Sequence, residues 1–343
     1  MPKGIEDDYW WVNLSDDELL DLRFCDLGLK IKGSRVEPWV KRLYKDLENK
    51  GLRFKPHIWV SDEWFSANGI PGIAVPFFVV HDRLAKLERK MLVEVEGYKE
   101  TDGVKLMRHE AGHAIDNAFR LRKSRRRQKL FGLSSTPYPE EYSPKAYSRK
   151  YVVHLNSWYA QAHPDEDWAE TFAVWLNPKS NWKKRYQNWS AIKKLNLVDE
   201  IMAEIKGHTP LVRNKETPSA VSQSRKKLKT YYKNKKDAVG ADEPFYLDPL
   251  IAKLFSADPD FKSKKTAASF IRQERKLICS MVARWTGQYH YLINQMIGEV
   301  IRSCQEKKMR LTKSEKETRL DLVGMLTAQT LNYISSGQHR IAM

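Results

Sequence analysis

The sequence predicts an α+β fold, with a short sheet among helices in the first part of the chain and helices alone in the last part. Two observations lead to this fold class. Two β-rich runs, 57–60 and 73–80, are bounded by proline and glycine and lie between segments of helical periodicity. From about residue 245 onward the apolar pattern is helical only. The 343 residues are enough for two domains of ordinary size.

Local signals mark the ends of the elements in the first part. Ser15 is followed by acidic residues at 16–18, which is typical of a helix N-terminus. Lys50-Gly51 marks the end of the next helix. In chain order we predict a helix from Ser15, a helix over 38–49, strands over 57–60 and 73–80, and helices over 82–90 and 104–122.

The later part of the chain contains two segments with neither a helical nor a strand pattern. Residues 133–151 are rich in proline, serine and tyrosine and predict a loop that could line a cleft. Residues 213–240 are polar and lysine-rich, which indicates a mobile basic linker or a surface segment. A small helical bundle is then predicted from helices over 249–255, 264–287, 288–305 and 314–335.

The helix predicted over 104–122 carries the pentapeptide His109-Glu110-Ala111-Gly112-His113, an H-E-x-x-H pattern. Histidines four residues apart project from one face of a helix, so both imidazoles can bind one Zn²⁺. Glu110 can then accept a proton from a zinc-activated water, which generates a nucleophile for a carbonyl carbon. The alternative is an ordinary helix that happens to contain these three residues.

A third ligand is predicted on the segment 166–176, which has helical spacing and is otherwise apolar. Glu166 and Glu170 lie one turn apart on it and face the same way. A buried acidic pair is costly unless a cation or hydrogen bonds compensate it. We predict that Glu166 binds the zinc and that Glu170 accepts a hydrogen bond from the free ring nitrogen of His109. The reverse assignment and a solvent-exposed pair are the alternatives.

These residues lie in segments that resemble known zinc peptidases. Residues 159–172 are similar to the Y-(x)6-E-x-x-A-E-x-F pattern of anthrax lethal factor-like zinc peptidases, and 109–116 to their H-E-x-G-H-A-x-D. The stretch from Leu14 to Leu176, about half of the chain, also resembles bacterial proteins described only as zinc-binding metallopeptidases; the similar pieces include PHIWVSDEWF, PFFVVHDRLAKLE and DEDWAETFAVWLNP. The resemblance implies a gluzincin site in a zincin-like domain, but no substrate.

The resemblance assigns roles residue by residue. It implies that His109, His113 and Glu166 bind the zinc, that a fourth position stays open, and that Glu110 is the general base. Tyr159 matches a tyrosine that reaches toward the reacting carbonyl, where a phenol could stabilise an oxyanion.

Other candidate residues have weaker support. Tyrosines are abundant near Tyr159, so a packing role is its alternative. Asp116, three residues after His113, is predicted to support a ligand without touching the metal. Isolated histidines at 81, 154 and 163 are predicted to be structural.

Composition restricts the class of protein. The chain is 41% hydrophobic with 11 Trp, 15 Tyr and 12 Phe, so a substantial core is expected and wholesale disorder is excluded. No run is long enough to cross a membrane, and residues 1–11 lack the apolar region of a secretory signal. Because Cys25, Cys279 and Cys304 are scattered without a C-x-x-C pair, we expect a reducing, cytoplasmic setting.

The net charge of +17 allows three interpretations. Basic blocks at 120–129 and 225–236 could bind nucleic acid, although no nucleic-acid recognition motif accompanies them. The arginines at 125–127 follow the helix that carries both histidines and could attract an acidic peptide. A solvated basic surface is the third interpretation.

The leading interpretation is a zinc-dependent hydrolase of peptide or amide bonds. The alternative is a basic nucleic-acid- or protein-binding factor whose zinc site is structural or degenerate. We predict an N-terminal helical segment, 1–50, packed on a zincin-like metallopeptidase domain, 51–211. A basic linker, 212–244, and a helical C-terminal domain, 245–343, are predicted to follow.

Overall fold

The computed structural model describes residues 9–139, 142, 144–145, 147–240 and 247–335. The chain divides into two compact units. The first contains Met1–Arg89 and Val95–Thr230, and the second contains Lys90–Glu94 and Tyr231–Met343. The predicted boundary between residues 244 and 245 lies outside the described residues.

Helices dominate the described part of the chain, and the fold is a helix-rich α+β fold. The α-helices are α1 Asp16–Asp21, α2 Glu37–Asn49, α3 Phe77–Val80, α4 Asp82–Leu92, α5 Glu100–Phe119, α6 Arg125–Phe131, α7 Pro164–Leu176, α8 Trp182–Arg185, α9 Ile192–Ile205, α10 Leu228–Val239, α11 Asp248–Leu254, α12 Ala267–Thr286, α13 His290–Glu306 and α14 Glu315–Ser335. None of the described helices is long and apolar enough to span a bilayer.

The caps of the first two helices follow the predicted signals. The Ser15 side chain accepts from the Glu18 amide and the Glu18 side chain accepts from the Ser15 amide, which makes a capping box before α1. Helix α2 ends at Asn49, and Gly51 has a φ of 75°, a left-handed conformation that suits glycine.

The sheet of the first unit is a parallel pair, β1 His57–Ser61 and β2 Gly72–Pro76, with His57 opposite Gly72. The strand predicted over 73–80 is therefore too long, because residues 77–80 form helix α3. Pro76 has no amide hydrogen for a strand ladder, and the strand ends there. Residues 77–80 are all buried, so their apolar run could not distinguish a strand from a helix.

Helix α5 lies at the centre of the first unit. It begins four residues before the predicted start and ends at Phe119, and Arg120 takes a left-handed conformation with a φ of 54°. The helix packs against α7, α2 and strand β2. In the contact with α2, the buried Arg108 donates to Asp46, with 2.6 Å between Nη2 and Oδ2. Helix α2 is thus held on α5 by an ion pair as well as by apolar packing.

Helices α5 and α7 approach closely at Gly112, which has no side chain to keep them apart. A Cβ built on Gly112 would lie 2.7 Å from the Cα of Ala169, well inside van der Waals contact. At the same level the Trp168 indole donates from Nε1 to the Gly112 carbonyl oxygen, at 2.9 Å. The small residues fix the separation of the two helices, and the indole hydrogen bond fixes their register.

In the second unit, α11 to α14 share one apolar core. Two short strands, β3 Phe255–Ser256 and β4 Arg310–Leu311, pair antiparallel beside it. Helix α10 was not predicted, because residues 213–240 show neither a helical nor a strand pattern in the sequence. Its apolar residues are too few for a sustained period, yet Leu228 and Tyr232 are fully buried.

Candidate metal centre

Helices α5 and α7 bring together three side chains that could hold a metal ion. Oε2 of Glu166 lies 3.0 Å from Nε2 of His109 and 3.3 Å from Nε2 of His113. The two histidine Nε2 atoms are 3.2 Å apart. All three side chains are largely buried, and they form the candidate metal-binding group of the described residues.

The spacing of these three atoms fits a zinc ion. Ligand bonds of about 2.0–2.1 Å in a tetrahedron place neighbouring ligand atoms roughly 3.3–3.4 Å apart. The observed separations of 3.0–3.3 Å are close to that edge length. Two imidazole nitrogens and one carboxylate oxygen also match the ligand set of catalytic zinc sites, which leave a fourth position open.

Glu170 contacts the opposite side of His109. Its Oε1 lies 2.9 Å from Nδ1 of the histidine, and its Oε2 accepts a hydrogen bond of 2.8 Å from the Leu155 amide. A proton on Nδ1 leaves the Nε2 lone pair directed at Glu166 and His113. This arrangement differs from the reverse assignment, in which Glu170 would be the ligand.

The site concentrates opposing charges in a buried place. Although burial disfavours charge, Glu166 and Glu170 raise the pKa of His109 well above its ordinary value. The pKa of Glu166 lies well below its usual range in spite of burial, because both histidines stabilise its carboxylate. A divalent cation at the same position would stabilise that carboxylate in place of protonated histidines.

Glu110 lies beside the histidines on α5. It is buried, and its Oε2 has no hydrogen-bond partner among the described residues. Burial raises its pKa, although the neighbouring histidines oppose that shift. An unpaired buried carboxylate oxygen is costly, and such atoms are found where a bound ion, water or substrate interacts with them.

Tyr159 lies on a short 3-10 helix, Asn156–Gln161, with its ring centroid 5.7 Å from that of His109. Burial raises the pKa of its phenol, and the carboxylates of Glu166 and Glu110 add to the shift. The hydroxyl is therefore protonated at neutral pH and can act as a hydrogen-bond donor. The structure thus brings Tyr159 to the predicted metal centre.

Asp116 does not contact a histidine. Its Oδ1 accepts from the Arg122 amide at 2.6 Å, and its Oδ2 accepts from Arg127 at 3.1 Å. The same Arg127 nitrogen donates to Asp165 at 2.6 Å. Because Asp165 precedes Glu166 in the chain, this network ties α5 to the first turn of α7. Asp116 thus links the two helices that carry the predicted ligands, and its support of a ligand stays a prediction.

The arginine block after α5 is less available to a substrate than its sequence indicates. Arg127 is fully buried between Asp116 and Asp165, and Arg126 forms ion pairs with Glu200 and Glu204. Only local charge was visible in the sequence, since the carboxylates that pair with these arginines come from distant positions.

The three histidines that were predicted to be structural have backbone partners. His154 is buried, with Nε2 2.9 Å from the Lys105 carbonyl oxygen. His163 caps α7: its Nδ1 accepts from the Asp165 amide, and its Nε2 donates to the Thr136 carbonyl oxygen at 2.7 Å. His81 accepts from the Arg83 amide. All three lie where a structural histidine is expected.

Tyr138 reaches the centre from the tyrosine-rich loop, a contact that the sequence did not predict. Its hydroxyl donates to Oε1 of Glu166 at 2.9 Å. Its ring stacks on His163, with centroids 3.7 Å apart and planes inclined by 13°. The sequence signal was limited to the abundance of tyrosine over 133–151, which indicated a cleft-lining loop without selecting a residue.

Comparison with known proteins supports the metal centre. A family model described as "Putative zinc-binding metallo-peptidase" matches residues 90–211, a little over a third of the chain. The matched region contains both histidines of the centre and Glu110, Tyr159, Glu166 and Glu170. No curated protein and no solved structure matches the chain.

Proposed function

We propose that this protein is a zinc-dependent metallopeptidase of the gluzincin type, which hydrolyses peptide or related amide bonds. The observation that carries the proposal is the convergence of His109, His113 and Glu166 at zinc-ligand spacing, beside the buried Glu110, whose Oε2 has no hydrogen-bond partner among the described residues. The short sheet beside α5 and the resemblance to lethal factor-like peptidases support a zincin-like domain.

Each side chain has a role that its surroundings support. The ligands would be His109, His113 and Glu166, and a bound zinc ion would activate water and polarise a carbonyl group. Glu110 accepts the proton of the attacking water, a task suited to a carboxylate whose pKa is raised by burial. Tyr159 donates a hydrogen bond to the oxygen on which negative charge develops.

A structural or degenerate zinc site in a nucleic-acid- or protein-binding factor is the competing function. Structural zinc sites are closed by four protein ligands, usually including cysteine. Among the described residues the candidate group has three ligands and no cysteine. This ligand set supports a hydrolytic zinc site. The scattered cysteines suggest that the protein works in a reducing, cytoplasmic setting.

The test is a comparison of wild type with Glu110→Gln on a diverse peptide library, with cleavage detected by mass spectrometry. Glutamine keeps the size of the side chain but cannot accept a proton, so we expect zinc content to be retained and turnover to fall roughly 10²–10⁴-fold. Tyr159→Phe should lower turnover with unchanged metal content. Full activity of Glu110→Gln on a validated substrate would overturn the mechanism.

A further inference from the structure

A short segment of the tyrosine-rich loop is fastened to the beginning of α7. Every second residue from 134 to 138 contacts it: Ser134 donates to Asp165 at 2.5 Å, the Thr136 carbonyl accepts from His163, and Tyr138 donates to Glu166. We call residues 134–138 the clasp. Each contact lies within one turn of the predicted metal ligand on α7.

The two oxygens of Glu166 have different partners. Oε2 lies within 3.3 Å of Nε2 of both histidines, whereas Oε1 accepts the hydrogen bond from Tyr138. A phenol is protonated at neutral pH, so the Tyr138 hydroxyl remains a donor. A carboxylate whose second oxygen is held in this way cannot rotate about its terminal bond without losing that hydrogen bond.

The Tyr138 ring is fixed independently of its hydroxyl. It stacks on the His163 imidazole, and His163 is held by the Asp165 amide at one ring nitrogen and by the Thr136 carbonyl at the other. Tyr138 is nevertheless half-exposed, at 50%. Its contacts thus orient a hydroxyl at the edge of the centre and bury only part of the ring.

We propose that Tyr138 is a positioning residue for the metal ligand Glu166. It holds Oε1 so that Oε2 alone is presented to the two histidine nitrogens, and the clasp keeps the phenol in place. The inference rests on the metal site of the proposed function. It adds a residue that acts through Glu166, in the way that partners of ligating carboxylates orient them in metalloproteins.

The test is the binding of Zn²⁺ and Co²⁺ to Tyr138→Phe, measured by competition with a chromophoric chelator. Phenylalanine keeps the ring and its stacking on His163 but removes the hydroxyl. We expect the dissociation constant for Zn²⁺ to rise about 10-fold, the lower end of the range for partners of metal ligands. The visible spectrum of bound Co²⁺ should also change, because its bands depend on the arrangement of the ligands.

Tyr147→Phe is the matched control, since it removes a hydroxyl from the same loop at a side chain that is 85% exposed. It should bind both metals as wild type does. A double-mutant cycle identifies the partner: in a Glu166→Ala background, Tyr138→Phe should leave the residual zinc affinity unchanged.

Three outcomes contradict one proposal or both. If Tyr138→Phe keeps the wild-type zinc affinity and Co²⁺ spectrum, the positioning role is wrong and the proposed function is unaffected. If Tyr138→Phe weakens zinc binding but the wild type cleaves no peptide, the positioning role stands and the proposed function fails. If the wild type binds neither metal, both fail.

Discussion

Glu166 and Glu170 are identical side chains one turn apart on α7, and their surroundings differ. Glu166 shares its Oε2 with two imidazole nitrogens, whereas Glu170 is fully buried against Nδ1 of His109 and the Leu155 amide. In the proposed site, Glu166 would contribute a bond to the metal, and Glu170 would set the tautomer and orientation of His109.

Replacement of each glutamate by alanine separates the two roles. We expect Glu166→Ala to lose most bound zinc, because it removes a donor atom. Glu170→Ala should weaken zinc binding by roughly 10–100-fold, because it removes only the orientation of His109. Zinc content is measured by atomic absorption after gel filtration. Wild-type zinc content in Glu166→Ala, with loss in Glu170→Ala alone, would reverse the assignment.

His154 predicts how stability depends on pH. Burial lowers its pKa to about 4 from an ordinary 6.5, although Glu170 opposes the shift. Between these values the unfolded chain binds a proton that the folded chain does not, so stability falls as pH decreases from 6.5 to 4. Below both pKa values, the loss in the free energy of unfolding amounts to roughly 3 kcal/mol.

The measurement is urea unfolding at pH 7 and pH 4.5 with a chelator present, so that metal release does not contribute. His154→Gln keeps a donor near the Lys105 carbonyl but does not titrate. We expect the variant to lose less stability than the wild type over this pH interval. An equal loss in both proteins would show that His154 does not control the dependence.

At the scale of elements, the predicted ligands and Glu110 all come from one helix pair. Helix α5 supplies His109, Glu110 and His113, α7 supplies both glutamates, and the pair meets at Gly112. The distance between the helices therefore sets the distance between the ligands.

Gly112→Ala tests this relation. A methyl group at residue 112 would lie 2.7 Å from the Cα of Ala169, a backbone atom that cannot move without moving α7. We expect a loss of stability of about 1–3 kcal/mol from overpacking, together with weaker zinc binding. Thermal unfolding measures the stability, and chelator competition measures the zinc affinity.

Gly324→Ala is the matched control. Gly324 lies in the interior of α14, and an added Cβ would meet nothing within 4 Å. Alanine is favoured over glycine in a helix interior, so this variant should be neutral or more stable by up to about 1 kcal/mol. Equal zinc affinity in Gly112→Ala and wild type would show that the close approach does not set the site.

Local signals in the sequence predicted the ends of helices, but they could not predict contacts between residues far apart in the chain. The cap at Ser15 and the glycine after α2 gave correct helix ends, and the spacing of His109 and His113 placed both on one face. Tyr138 was not predicted because its partner Glu166 lies 28 positions away, and no periodicity reports such a contact. Arg127 looked like surface charge for the same reason, since Asp165 is 38 positions away.

At the scale of the whole molecule, the predicted ligands all belong to the first of the two compact units. A ligand that binds only the folded state stabilises the part that binds it, by about 2.7 kcal/mol at a concentration 100 times its dissociation constant. Unfolding of a chain with two units need not be a single transition. Zinc should thus stabilise the first unit more than the second.

Tryptophan fluorescence can follow this difference, because only one of the 11 tryptophans, Trp285, lies after residue 230. Fluorescence therefore reports mainly on the first unit, whereas circular dichroism also reports on α11 to α14. We expect zinc to raise the unfolding midpoint measured by fluorescence. Part of the transition measured by circular dichroism should keep its midpoint. Equal shifts in both signals would show that the units unfold together.

The separation of the ligands along the chain has a consequence for biosynthesis. His113 and Glu166 are 53 positions apart, so both histidines leave the ribosome well before the carboxylate that completes the group. Closing a chain segment of this length loses entropy, and the packing of α7 on α5 must compensate that loss before three donors can meet. Of the predicted ligands, the nascent chain would thus offer only the two imidazoles, which should hold zinc less firmly than the complete set of three. In the proposed zinc site, metal capture would therefore follow the packing of α7 on α5, and a hydrolytic centre could form only after residue 166 has left the ribosome.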